Sequence, residues 1–413
     1  MPPHPIATDA QHAHEREAVA LTHHPIVGEA FARVRESWLE ATNPGPDMRS
    51  CFEAAFREVM FSAAVWSLNQ DPLRPRVICI TRLAHRVGDL EIPGSRWGID
   101  NPDSIYRVIP ISGDERYRIR GRVGKRRMTE NYFTLWDEKM TTVDVLSGHD
   151  LVLDSDRSFT ISVDSDPAGD RPNHVQSSPE AHEFYIRDVM LDWEKDEPNQ
   201  LEIERLGGPP SKPPLSDDEQ AELTAGFMLR FSEFTQKLGR GMTASPANHF
   251  ALAYSADKGG ALRKQVYIGG NFRLDEDEAM VIDVNDGGAA YFVVPTGNIW
   301  GTTFEIVDRT SSLNKAQSIP NQDGTYTYVL SRRDPGIHNW IDPCDMGEGI
   351  LTLRMAEFPD GRPNDDLSAK SRVVPFSKLR EALPAETKWL SADERRQQQV
   401  ERAAAYRRRL PEA

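Results

Sequence analysis

Three stretches of the chain gather side chains suited to acid–base or polar-binding chemistry. The first is Arg96-Trp97-Gly98-Ile99-Asp100-Asn101-Pro102-Asp103-Ser104-Ile105-Tyr106-Arg107, which sets carboxylates, an amide, a phenol, an indole and guanidiniums around a proline turn. Asp100 or Asp103 could serve there as acid or base, with Arg96 or Arg107 holding an anionic or carbonyl oxygen. The competing reading is a loop locked by Asx turns, with Trp97 and Tyr106 packed beneath it. The second stretch runs Asn298-Ile299-Trp300-Gly301-Thr302-Thr303-Phe304-Glu305 and continues to Asn314 and Gln317. Asn314 and Gln317 either orient a polar ligand or bond backbone in a long connection. The third holds His338 between Asp334 and Asp342, beside Asn339 and Trp340. A carboxylate on its ring would make His338 a general base; a purely structural bond is the alternative. The candidate catalytic residues are thus Asp100, Asp103 and His338. The candidate substrate-binding residues are Arg96, Trp97, Asn101, Tyr106, Arg107, Trp300, Asn314, Gln317, Asn339 and Trp340.

The familiar catalytic signatures are missing: no phosphate-binding glycine loop, no nucleophile elbow and no HExxH. Asp154-Ser155-Asp156 opens like a calcium loop but lacks the required glycine and closing glutamate. Neither a metal nor a cofactor is expected.

The elements that must position these clusters are mainly β. Helical spacing of Phe31, Val34 and Trp38, then of Phe52, Phe56, Val59, Met60 and Ala63, predicts two helices, the second capped by Asp47. Alternation of Tyr117 and Ile119 with arginines, and of Phe159, Ile161 and Val163 with Ser and Thr, predicts half-buried strands. Gly207 to Pro214 reads as a linker. Ser216 with Glu219 forms a capping box opening a helix to Gly239, whose stripe of Leu223, Phe227, Phe231, Phe234 and Leu238 reads as core. Strands then follow at Met280, Tyr291, Trp300–Val307, Thr325 and Ile350. Ser391 with Glu394 opens an Arg-rich helix, read as a solvated arm or an intersubunit contact. The expected division is a helical segment 1–75, a first antiparallel sandwich 76–206, a linker and helix 207–264, a second sandwich or jelly roll 265–360, and a C-terminal extension 361–413.

At 413 residues the chain is too long for one ordinary core. A formal net charge of −15 argues against nucleic acid or an anionic membrane as general partner. Cys51, Cys79 and Cys344 share no close spacing, as suits a reducing compartment. With no signal-peptide pattern and no spanning apolar stretch, a cytoplasmic protein is expected, with a homo-oligomer as one assembly.

The run Tyr291-Phe292, Asn298-Ile299-Trp300, Ser312-Leu313-Asn314, Gln317, Asp323-Gly324, Asp334-Pro335-Gly336, Asn339-Trp340-Ile341-Asp342 and Arg354 resembles the bacterial family with the domain of unknown function numbered 1214. The likeness covers about residues 270 to 358. Trp97 to Asp103 and Tyr117 to Gly121 resemble the N-terminal β region of longer members. The resemblance implies β-sandwich or jelly-roll folds and catabolism of lipids, steroids or aromatic compounds, and carries over no catalytic residues. His338 stands where the family often has other residues. The functional expectation is a cofactor-independent hydrolase or lyase acting on a hydrophobic small molecule. The alternative is a non-catalytic binding, carrier or assembly protein.

Overall fold

In the computed structural model, which describes residues 4–254 and 265–410, four helices open the chain. They are α1 (Asp9–Thr22), α2 (Pro25–Thr42), α3 (Pro46–Ser50) and α4 (Phe52–Ser67). The sequence reading misses α1 because its buried face is Gln11, His14, Glu15 and Ala18, with no apolar stripe to betray a helix. Asp47 caps nothing: Gly45 precedes α3, Pro46 sets its first turn, and α4 begins after Cys51. α4 is buried along nearly its whole last two turns, Val59 to Ser67, so it is a core helix.

Eleven strands follow among the described residues: β1 (Ile78–Cys79), β2 (His85–Val87), β3 (Leu90–Ile92), β4 (Ser104–Pro110), β5 (Tyr117–Arg122), β6 (Glu130–Asp137), β7 (Thr142–Ser147), β8 (Ser158–Asp164), β9 (His174–Gln176), β10 (Ala181–Val189) and β11 (Gln200–Arg205). Sheets β1-β4-β10-β6-β7 and β11-β5-β8-β9 form the first sandwich, and β2 and β3 make a separate hairpin. Ile109, Ile119, Phe133, Phe159, Ile161, Phe184 and Ile186 fill the space between the two large sheets. The alternation read at Tyr117 and Phe159 is the pleat of β5 and β8, each with one face on this core.

After the linker, α5 runs Asp217–Thr243 from the predicted Ser216–Glu219 capping box. It passes through Gly239 rather than ending there. The carbonyl oxygen of Ile299 lies 2.6 Å from where a Cβ would stand, so this glycine marks a close approach and not a stop. The second sandwich comprises β12 (His249–Tyr254), β13 (Val266–Arg273), β14 (Glu278–Asn285), β15 (Tyr291–Gly297), β16 (Ser312–Asn314), β17 (Tyr326–Leu330), β18 (Trp340–Ile341), β19 (Glu348–Ala356) and β20 (Ser368–Pro375). Its sheets are ordered β12-β13-β19-β15-β16 and β18-β17-β14-β20. Its strands thus reach beyond the expected 265–360 limits at both ends.

The strand expected over Trp300–Val307 is a loop. The Asn298 side-chain oxygen accepts from the amides of Trp300 and Thr302, and Gly301 turns the chain at φ +86°. Glu305 accepts from the amides of Val307 and Asp308, so Thr302 and Phe304 share no strand face. The chain finishes with α6 (Leu379–Ala382) and α7 (Ala392–Arg407). Far from being a solvated arm, α7 is docked. Arg402 donates to the carbonyl of Ile306 and the hydroxyl of Ser312, Arg409 donates to the carbonyl of Pro102, and the Tyr406 ring packs on Trp193 at 5.1 Å. Among the described residues no helix is long and apolar enough to cross a membrane.

Candidate functional site

The two five-stranded sheets turn their outer faces toward one another. Along β10, Phe184 and Ile186 point into the first sandwich while Tyr185 and Arg187 point out; along β19, Leu351 and Leu353 point in while Thr352 and Arg354 point out. Between these outer faces lies a cavity of about 650 Å³, closed on one side by α5. β4 contributes Ser104 and Tyr106, β6 contributes Glu130 and Trp136, and β13 contributes Tyr267 and Gly269. Trp97 to Asn101 border it from the loop before β4, and Phe234, Leu238 and Met242 come from α5. The stripe of α5 therefore divides: Phe231 is core, while Phe234 and Leu238 face the cavity.

The walls are aromatic. Trp136 stacks on Tyr185 with ring centres 4.3 Å apart, and Tyr106 lies 5.5 Å from Tyr185. Trp97 is held by Phe231 at 4.5 Å and Trp66 at 5.0 Å. The guanidinium of Arg187 lies over Tyr185 at 4.5 Å and near Trp136 at 5.4 Å. Arg354 donates to the carbonyl of Ile99 and the hydroxyl of Tyr106.

Besides Asp100 at the border, a second carboxyl stands among these groups. Glu130 is completely buried, and its Oε1 accepts from Gln265 Nε2 at 2.6 Å while Oε2 has no partner. Burial first, then the charge of Glu357, pushes its pKa up to about 8, against the opposing pull of Arg187 and Arg354. At neutral pH Glu130 is thus mainly a carboxylic acid. Burial also raises the phenols of Tyr185 and Tyr267, which stay neutral.

Of the residues expected from sequence, Trp97, Asp100, Asn101 and Tyr106 reach this cavity. Asp100 is committed elsewhere: its carboxylate accepts from the amide and the hydroxyl of Thr303, both at 2.8 Å. Asp103 is fully buried and accepts from Trp193 Nε1 at 2.7 Å, Tyr291 Oη at 2.8 Å and Asn314 Nδ2 at 2.9 Å. Burial raises the pKa of both carboxyls; the bonds just named oppose it. Arg96 pairs with Glu58 and with the carbonyls of Thr303 and Phe304, and Arg107 pairs with Asp188 deep in the first sandwich. Asn314 and Gln317 cap one 3-10 turn reciprocally.

His338 is not brought to Asp100. Its Nε2 lies 3.1 Å from the carbonyl oxygen of Gln317, neither Asp334 nor Asp342 bonds its ring, and burial lowers its pKa. Asp334 and Asp342 pair instead with Arg395 and Arg309. Asn339 bonds the carbonyls of Ile319 and Thr327, and the Trp340 indole donates to Ser331. Trp300 packs on Phe52 at 5.0 Å and borders a separate cavity of about 600 Å³ with Trp38 and Glu348. A larger groove of about 1240 Å³ runs beside the 207–214 linker, but none of its ionisable side chains is buried.

Glu130, Trp136, Arg187, Gln265, Tyr267 and Thr352 escape the sequence reading. A usable signal existed: Glu130-x-Tyr132-x-Thr134-x-Trp136 and Tyr185-x-Arg187 put polar or amphipathic residues on every second position of otherwise apolar strands. That pattern describes a sheet whose second face meets another polar-lined surface.

No family model matches the chain, and no curated protein matches it. Solved structures do. An uncharacterised protein from Burkholderia cenocepacia is 23% identical, with 87% of this chain and 99% of that chain covered and a TM-score of 0.74. A protein from Vibrio parahaemolyticus is 13% identical over 67% of this chain and 90% of its own, with a TM-score of 0.44. The Burkholderia likeness shows that the chain shares its fold with that protein.

Proposed function

We propose that this chain binds a hydrophobic, ring-bearing small molecule in the cavity between the facing sheets. The observation carrying this reading is the aromatic enclosure, Trp97, Trp136, Tyr106 and Tyr185, in a space large enough for several fused rings. Membership of the family with domain 1214 belongs to the same proposal. Its support is that the motif residues Tyr291, Asn314 and Arg354 all bond across the junction beside this cavity. A cytoplasmic setting fits the buried free thiol of Cys79. The test is native mass spectrometry and tryptophan fluorescence with a panel of steroids, polycyclic aromatics and fatty acyl compounds. The expected result is one retained molecule per chain and weaker retention by Trp136→Ala. Binding that ignores this substitution would sink the assignment to this cavity.

A second reading, a cofactor-independent hydrolase or lyase, is favoured by Glu130. A buried carboxyl whose pKa sits near neutrality, with one oxygen free at the wall of a cavity, is equipped to give a proton to a leaving group or take one from carbon. Under this reading Glu130 replaces Asp100, Asp103 and His338 as the acid–base residue. Incubating the ligand with wild type and Glu130→Gln separates the two readings: product formed by the first alone supports the enzyme, and unchanged ligand in both supports the binder.

A further inference from the structure

A second space, unlike the aromatic one in size and chemistry, lies where the segments before α1 and after α7 meet the first sandwich. It is a cavity of about 20 Å³, bordered by Ile6 before α1, Thr81 and Arg82 after β1, Arg96 and Asp100 before β4, and Arg409 just past α7. Arg82 and Arg409 are only 4% and 5% exposed. In each, Nη1 is the bonded nitrogen: Arg82 donates it to Glu15, and Arg409 donates it to the carbonyl of Pro102. Nε and Nη2 of both are buried without a partner. Those two nitrogens form one edge of the guanidinium, whose parallel N–H groups suit an anion. Arg96, the third guanidinium at this cavity, shows the ordinary use of that edge, for its Nε and Nη2 hold Glu58. Thr81 Oγ1 is likewise buried without a partner. Asp100 spends its carboxylate on the amide and hydroxyl of Thr303, and Glu15 is shared with Gln11 and His85. The oxygen bonded to Arg409 is a neutral carbonyl, and burial pushes the pKa of this guanidinium down against the pull of Tyr406 and Asp103.

Two buried guanidinium edges and a hydroxyl around one small space call for acceptors and for negative charge. A water offers two lone pairs, brings no charge and turns its own hydrogens on a set made of donors. The space is too small for an organic ligand and matches one compact ion. We propose that Arg82 and Arg409 hold a small monovalent anion of chloride size between their Nε–Nη2 edges, with Thr81 donating its hydroxyl to it. The ion ties the segment before α1 and the end of α7 to the loops after β1 and before β4. Asp100 and Asn101 border both this space and the aromatic cavity. The anion therefore stands behind one wall of the ring-binding site, and its presence does not depend on what that site takes.

The probes are halides. Crystals of the full chain soaked in bromide should give an anomalous peak between Arg82 and Arg409, in contact with their Nε and Nη2 atoms. In solution, protein dialysed into potassium gluconate should melt at a higher temperature as chloride replaces gluconate at constant ionic strength. The rise should saturate with chloride and reach about 2 °C, as for a ligand held by the folded chain alone. Arg409→Gln, which removes one charged edge, should lose most of that rise and the bromide peak. A water or a side chain standing where bromide is expected would overturn the proposal. So would a melting temperature that ignores chloride, in which case a bromide peak marks an adventitious ion only. An undiminished rise in the variant would overturn it as well. The two wild-type measurements decide the matter even if the variant does not fold.

Discussion

Glu130 is the residue on which stability and chemistry meet. Its folded pKa of about 8 lies above the ordinary 4.5, so between those values the folded chain keeps a proton that the unfolded chain has released. Stability from this group is complete below about pH 4.5 and is lost as pH rises toward 8, with a slope near 1.4 kcal/mol per unit. Urea denaturation of wild type and Glu130→Gln at about pH 5 and about pH 8 should show the variant gaining on wild type at the higher pH. A constant difference would remove Glu130 from the account. At this scale the sequence was half legible. Trp97, Asp100, Asn101 and Tyr106 stood out because they crowd one short stretch, whereas Glu130, Arg187 and Tyr267 are scattered over three separate strands. Their meaning comes from a facing sheet far away in sequence. The polar loop clusters misled for a related reason: Asp100 and Asp103 are surrounded by donors that bond them, and local composition does not tell a lock from a site.

Among the elements, α5 shows how one apolar stripe serves two purposes. Phe231 lies in the helix–sheet core against Trp66 and Trp97, while Phe234, one turn on, is half-buried at the cavity. Phe231→Ala should cost about 3–5 kcal/mol in thermal or urea unfolding. Phe234→Ala should cost far less and weaken ligand retention instead; equal losses of stability would make the whole stripe core. The helix itself, its capping box and its facing were legible, because capping and periodicity are local. Its true end was not, since Gly239 answers to the backbone of Ile299 and not to its own neighbours. The same limit explains Trp300–Val307, where the side-chain bonds of Asn298 and Glu305 override residue types that favour strands.

For the whole molecule, the decisive joint is the set of bonds on Asp103. This side chain of the first sandwich accepts from Tyr291 and Asn314 of the second and from Trp193. Asp103→Asn turns one acceptor into a donor facing donors, and should cost about 1–3 kcal/mol with ligand binding retained. Unchanged melting with lost activity would return Asp103 to the catalytic list. The two-sandwich plan was readable from strand spacing and the proline linker. That the sandwiches face each other across a cavity was not, because the polar alternation of β6 and β10 marks a covered outer face without saying which sheet covers it.

The docking of α7 has a consequence for biogenesis. Arg409 and Tyr406 grip Pro102 and Trp193 beside the first sandwich, while Arg402 grips Ile306 and Ser312 from the second. Ribosomes make this helix after both sandwiches, and domains fold as they emerge. The halves already meet through Asp103 and Arg354, so α7 is the last fastening to be added and not the first. A chain ending before Ser391 should fold and melt at a lower temperature than the full chain, by the loss of the Arg402 and Arg409 bonds.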